Sequence, residues 1–229
     1  MKNELVTVLL SGGLDSTTAL AYALSQPHTK VLTLTMLYGQ RHAGRETRYA
    51  ALAADHFGVE YTHMTIPMGV GGLTDPNLEI PHKSYQELGE GVSPTYVPFR
   101  NALLLSHAVS YTDALALEYG KDQKFRVVYG AHKDDASGGA YPDCSSQFVQ
   151  AFDHIVGVAT YGRGRVEAPF IYMTKGEIVK YGMTMSVPYS LTWSCYEGGV
   201  KHCGKCPTCI DRHAAFTTNG IEDPTEYLE

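Results

Sequence analysis

Leu9-Leu10-Ser11-Gly12-Gly13-Leu14-Asp15-Ser16-Thr17-Thr18 sets the architecture of this 229-residue chain. The apolar run from Leu5 to Leu10 stops at Ser11-Gly12-Gly13, and an alanine- and leucine-bearing segment from Leu14 to Leu24 follows at once. That order predicts a buried strand, a tight loop and a helix. Glycines at 12 and 13 let the backbone approach a ligand without a Cβ in the way, while Ser16, Thr17 and Thr18 add hydroxyls beside the free N–H groups of a helix start. The positive end of the helix dipole favours anions, so residues 10–18 are expected to cradle phosphate oxygens.

Two common phosphate loops do not fit. The stretch has no lysine for Gly-x-x-x-x-Gly-Lys-Ser/Thr, and its glycines are adjacent where the dinucleotide fingerprint needs Gly-x-Gly-x-x-Gly. Ser11-Gly12-Gly13-Leu14-Asp15-Ser16 resembles instead the PP-loop of the ATP pyrophosphatase superfamily. That resemblance implies cleavage of ATP between its α and β phosphates, with AMP transferred to a substrate oxygen.

Working outward, Lys30 to Leu37, Val59 to Ile66, Phe125 to Gly130 and Val166 to Phe170 read as further strands. Gly44 to Phe57, residues 100–119, Ser145 to Ala159 and a segment opening at Thr174 read as helices. An α/β fold follows: an open parallel sheet with helices on both faces, of the adenine nucleotide alpha hydrolase-like kind that the PP-loop implies. Ligands of such sheets lie beyond the carboxyl ends of the strands, which brings Tyr38-Gly39-Gln40-Arg41-His42 beside the Ser11 loop. Residues 67–98, broken by five prolines and five glycines, are expected to form a long loop that covers substrate or meets a partner. Arg100, at the start of the next helix, is expected to fork onto a phosphate. Lys175, in the first turn of the helix capped by Thr174 and Glu177, sits where an anion would offset its charge. The loop from Ala131 to Cys144 is polar pocket lining in this reading, with Cys144 itself a small buried apolar residue.

The 18 Lys+Arg against 24 Asp+Glu, a net charge of −6, argue against a nucleic-acid or anionic-lipid partner and for small molecules. No stretch is apolar enough for a signal peptide or a membrane span, so the expected location is the cytoplasm. Cys195, Cys203, Cys206 and Cys209 are spaced x7, x2 and x2. Four thiolates so placed close a tetrahedral site, with structural zinc the expectation and an iron–sulfur cluster the rival; His202 can stand in for a thiolate but is not needed. The chain is therefore divided into a nucleotide-binding domain, 1–190, and a zinc-binding C-terminal segment, 191–229.

Taken together, Ser11 to Thr18, Tyr38 to His42, Tyr96-Val97-Pro98-Phe99-Arg100-Asn101, Tyr141-Pro142-Asp143-Cys144 and the four spaced cysteines resemble the 7-cyano-7-deazaguanine synthase family over nearly the whole length. The resemblance implies a homodimer with ATP bound at Leu10 to Thr18, Mg²⁺ near Asp15, and Zn²⁺ on the four cysteines. It implies an ATP-dependent carbon–nitrogen ligase that turns 7-carboxy-7-deazaguanine and ammonia into the 7-nitrile through adenylated acid and amide. In that chemistry Arg100 and Lys175 neutralise developing charge and His132 serves as base. Asp143 accepts the paired N–H donors of the heterocycle, and Tyr141 or Tyr96 stacks on it. Phe99, where the common pattern has glycine, and the His132-to-Gly139 stretch depart from the family. They leave the amide, or a conjugate with another acceptor, as an alternative product. A PP-loop tRNA-modifying enzyme is a further alternative; it would need a basic face and often an extra domain, and this chain has neither. An NAD or GMP synthetase-like amidotransferase would need a glutaminase half. A non-catalytic nucleotide-binding module would have no reason to keep the polar loop at 131–143.

Overall fold

In the computed structural model, which describes residues 4–228, the apolar runs pair into one parallel sheet. β1 (Glu4–Leu9) leads through the Ser11 loop into α1 (Leu14–Ser25), β2 (Thr29–Leu37) into α2 (Ala43–His56), and β3 (Tyr61–Thr65) into a stretch carrying the short α3 (Tyr85–Leu88). α4 (Arg100–Tyr119) returns to β4 (Phe125–Val128) and α5 (Ser146–Ala159) to β5 (Gly164–Glu167), before α6 (Lys175–Thr184) and α7 (Pro207–Thr217). The strand order is β3-β2-β1-β4-β5 with every neighbour parallel. The winding reverses between β1 and β4, and the loops that leave their carboxyl ends part there and open a crevice.

Strand alternation decides which helix covers which face. Val6 and Val8 are fully buried in a cluster with Leu20 of α1 and Ile178 and Val179 of α6. Thr7 points the other way, where its hydroxyl accepts a 2.8 Å hydrogen bond from Thr112 of α4. Ala50, Ala53 and Ala54 keep α2 slim enough to lie against the Ser11 loop. A Cβ on Gly12, whose φ is +74°, would come within 2.4 Å of the Ala50 nitrogen, so only glycine fits both the turn and the contact.

β4 and β5 end before the predicted Gly130 and Phe170. Gly130 passes directly beneath the start of α1, where a Cβ would come within 2.9 Å of Ser16 N. Pro169 has no N–H with which to extend β5. Residues 67–98 are no free flap: Leu73, Ile80, Ser93, Thr95 and Val97 are buried, and a capping box between Ser84 and Glu87 nucleates α3.

The segment after Leu191 is bonded into the sheet domain. Trp193 N–H donates to the Gly12 carbonyl at 2.8 Å. Arg212, 1% exposed, donates to Thr192 Oγ1 at 2.7 Å and the Tyr189 carbonyl at 2.9 Å, and meets both carboxylate oxygens of Asp223 at 3.1 Å. Among the described residues no helix is long and apolar enough to cross a membrane.

Candidate active site

A cavity opens at the crevice between β1 and β4. Ser11, Gly13, Leu14, Asp15 and Ser16 form one wall, Arg100 and Lys175 enter from α4 and α6, and Trp193, Ser194, Tyr196 and Thr208 close it from the C-terminal segment. Leu10 also lines it. Ser11 Oγ and Ser16 Oγ lie 3.0 Å apart, and Ser11 Oγ accepts from Gly13 N–H, so the loop holds its own shape. Thr17 and Thr18 do not reach the cavity: each helical residue turns by about 100°, which carries both into the packed face of α1. Thr18 Oγ1 donates to the Leu14 carbonyl at 2.8 Å and meets Tyr189 OH at 3.1 Å.

The two cations stand among different neighbours. Lys175 Nζ is 3.9 Å from Asp15 Oδ2, and the Lys175 N–H donates to Asp134 Oδ2 at 2.7 Å. Burial disfavours its charged form, but Asp15, Asp211, Asp135 and Asp134 outweigh that and push its pKa above the ordinary lysine value. Arg100 lies among Tyr38, Tyr196, Cys144 and Asp143, with Nη1 3.5 Å from Tyr38 OH. Among the described residues no carboxylate pairs with it within 4.0 Å. A half-buried guanidinium on a cavity wall with no carboxylate partner is a site for an anionic or carbonyl oxygen.

Several expected residues take other places. His132 is 1% exposed and sits behind the loop, its Nε2 3.3 Å from Asp135 Oδ1 and 3.7 Å from Asp15 Oδ2. It does not line the cavity, whereas Asp15 and Asp135, the two carboxylates beside it, do. Asp143 is likewise turned away. Its Oδ2 accepts the Asn101 N–H at 2.9 Å, supplying the cap that Phe99, at the head of α4, cannot. Tyr96 lies outside the cavity, its hydroxyl accepting from Phe99 N–H at 3.0 Å. That bond braces Phe99 at φ +56°, a left-handed conformation that suits the glycine expected there. The Phe99 ring is 63% exposed and touches no part of the cavity. Arg41 turns outward to the Leu78 and Pro76 carbonyls and to Glu197.

Tyr141 does line the cavity, and its hydroxyl meets Tyr85 OH and Ser93 Oγ, each at 3.2 Å, and Thr95 Oγ1. Tyr85 OH is in turn 3.3 Å from Tyr196 OH. Burial raises the pKa of Tyr85 and Tyr196 well above the ordinary tyrosine value, which keeps this wall neutral. Tyr38 and His42, of the cluster expected beside the Ser11 loop, and Asp135, of the polar 131–144 loop, line the cavity; sequence reasoning missed Glu46, Tyr85, Trp193, Tyr196 and Thr208. Glu46 had a signal: it stands one helical turn after His42, on the same face, and so belonged to the 38–42 cluster.

The sulfurs of Cys195, Cys203, Cys206 and Cys209 all lie within 4.8 Å of one another. Cys203 and Cys209 sulfurs are 3.9 Å apart, close to the ~3.8 Å edge of a tetrahedron with 2.3 Å metal–sulfur bonds. Cys206 N–H donates to Cys203 Sγ at 3.2 Å and Cys203 N–H to Cys195 Sγ at 3.4 Å, as thiolate ligands require. The set can hold a metal such as zinc. His202 is no ligand, because its Nε2 accepts from Ser194 N–H at 3.0 Å.

Residues 5–220 match the family of queuosine biosynthesis protein QueC. The chain belongs to that family. Curated relatives named 7-cyano-7-deazaguanine synthase share 37% identity in Thermoplasma acidophilum, over 99% of this chain and 93% of the relative, and 40% in Methanoculleus marisnigri, over 96% of each. The relative of that name from Pseudoalteromonas atlantica is 39% identical over 97% of this chain and 98% of its own. A U34-tRNA thiolase, NcsA from Methanococcus maripaludis, aligns in structure with a TM-score of 0.47 at 14% identity, covering 96% of this chain and 67% of the thiolase.

Proposed function

We propose that this protein is an ATP-dependent ligase that makes 7-cyano-7-deazaguanine from 7-carboxy-7-deazaguanine and ammonia. The observation that carries this is one cavity in which a loop of phosphate-binding form shares space with a half-buried arginine that has no carboxylate partner and with a neutral tyrosine wall, in a chain whose family match runs nearly end to end. ATP phosphates lie along Ser11 to Ser16, with Lys175 against the leaving pyrophosphate. Asp15 Oδ1 is buried without a partner, and with Asp135 it would hold Mg²⁺ beside those phosphates. The four cysteines would hold structural Zn²⁺.

The substrate carboxylate attacks the α phosphorus and pyrophosphate leaves; ammonia then displaces AMP to give the amide and a proton. The amide oxygen attacks the α phosphorus of a second ATP and expels a second pyrophosphate, and loss of the second AMP and of both remaining nitrogen protons leaves the nitrile. Each carboxylate oxygen thus departs in one AMP. The acidic surface fits small-molecule substrates with no nucleic acid, and the enzyme would work as a cytoplasmic homodimer.

Carboxyl oxygen-18 tests this. With doubly labelled acid, each of the two AMP molecules formed per nitrile should carry one label, read by mass spectrometry. Label appearing in inorganic phosphate would mean an acyl phosphate and would overturn the mechanism.

A further inference from the structure

Glu46 is a half-buried carboxylate on the cavity wall, its side chain 16% exposed, that no step above uses. It is fixed in place. Gln40 Oε1 accepts the Tyr38 N–H at 2.8 Å, so the Gln40 amide cannot flip, and its Nε2 must donate to the Met36 carbonyl at 3.1 Å and to Glu46 Oε2 at 2.6 Å. His42 Nε2 stands 3.4 Å from the other oxygen, Oε1. Burial opposes the ionised form, but His42, Gln40 and Arg100 outweigh it and hold the carboxyl below its usual range. A carboxylate oxygen has two lone pairs, so each Glu46 oxygen keeps one for a ligand in the cavity.

The geometry points to Glu46, not Asp143, as the residue that recognises the heterocycle, by accepting the ring N–H and the exocyclic amine of an aminopyrimidinone edge as a fork. This rests on the proposed deazaguanine substrate. Along that edge the amine, the ring N–H and the carbonyl follow in order, and the 7-carboxylate projects beside the carbonyl. A donor–donor pair next to two acceptors calls for an anion next to a cation. Glu46 and Arg100 supply that pair in one chamber, and among the described residues no carboxylate lies within 4.0 Å of the Arg100 guanidinium. Asp143, one oxygen committed to Asn101, lies outside the chamber.

The test compares 7-carboxy-7-deazaguanine with its analogue lacking the 2-amino group, in the wild-type enzyme and in Glu46→Gln. The wild type should favour the amino compound in kcat/KM by about 10- to 100-fold, the worth of a hydrogen bond to a charged group. In Glu46→Gln the KM for the amino acid should rise by a similar factor and the preference should collapse toward unity, while the KM for ATP stays within about twofold. A wild-type enzyme indifferent to the amine would overturn the assignment without any variant. So would a Glu46→Gln enzyme that keeps the preference. A wild type that ignores both acids would instead bring down the substrate reading, and this inference with it.

Discussion

Cys206→Ala should cost the protein its metal and reduce turnover by at least about a thousandfold. Structural zinc contributes on the order of 10 to 16 kcal/mol to the folding of the segment that binds it. Here that segment supplies Trp193, Ser194, Tyr196 and Thr208 to the cavity wall, and Trp193 is tied to Gly12. Losing the metal therefore dismantles one side of the active site as well as a remote tail. Elemental analysis of the purified variant, beside its rate of AMP release, makes the check. A metal-free variant that still turned over near the wild-type rate would show that the segment folds on its own.

The second large effect belongs to Lys175. Its ammonium lies beside Asp15 on the cavity wall formed by the Ser11 loop, where in the proposed reaction the departing pyrophosphate would gather charge. Lys175→Met should lower kcat by about 10²- to 10³-fold, the usual loss when one charge-stabilising group is taken from a transition state. The KM for the deazaguanine acid should hold within about twofold, because Lys175 and Arg100 stand among different neighbours. Steady-state kinetics in each substrate separate the two effects. A variant that lost affinity for the acid and kept kcat would place Lys175 at the heterocycle instead.

Much of this was legible from short-range patterns. Alternating strands and helices, the Ser-Gly-Gly turn and the spacing of four cysteines are local signals, and local signals decide secondary structure, loop geometry and metal sites. Which polar side chains face the cavity is a long-range question. Asp143 looked like a free acceptor held by Pro142, but the start of α4 has an unpaired N–H and takes it. His132 reads as a loop histidine, yet the pairing of its backbone beside Phe170 buries it behind the phosphate loop. Arg41 is drawn outward by the carbonyls of residues 76 and 78, which a proline-rich stretch gives no way to locate in advance. Tyr85 belongs to a one-turn helix too short to show periodicity, and the one signal of Glu46, its place a helical turn after His42, does not show the Gln40 amide that grips it.

The hydrogen bond from Trp193 to Gly12 joins the cysteine-bound segment to the nucleotide loop. Two ligands that each order the two ends of one bridge must help each other bind, and thermodynamic linkage makes that help mutual. Whatever the metal lends to ATP affinity, ATP returns to the metal. In chelator competition at equilibrium, the zinc dissociation constant should be lower for enzyme saturated with nucleotide than for free enzyme, by the same factor that metal removal weakens nucleotide binding. If zinc and ATP are the ligands, a well-energised adenylate pool would, in a cell short of zinc, itself defend the metal on these four cysteines.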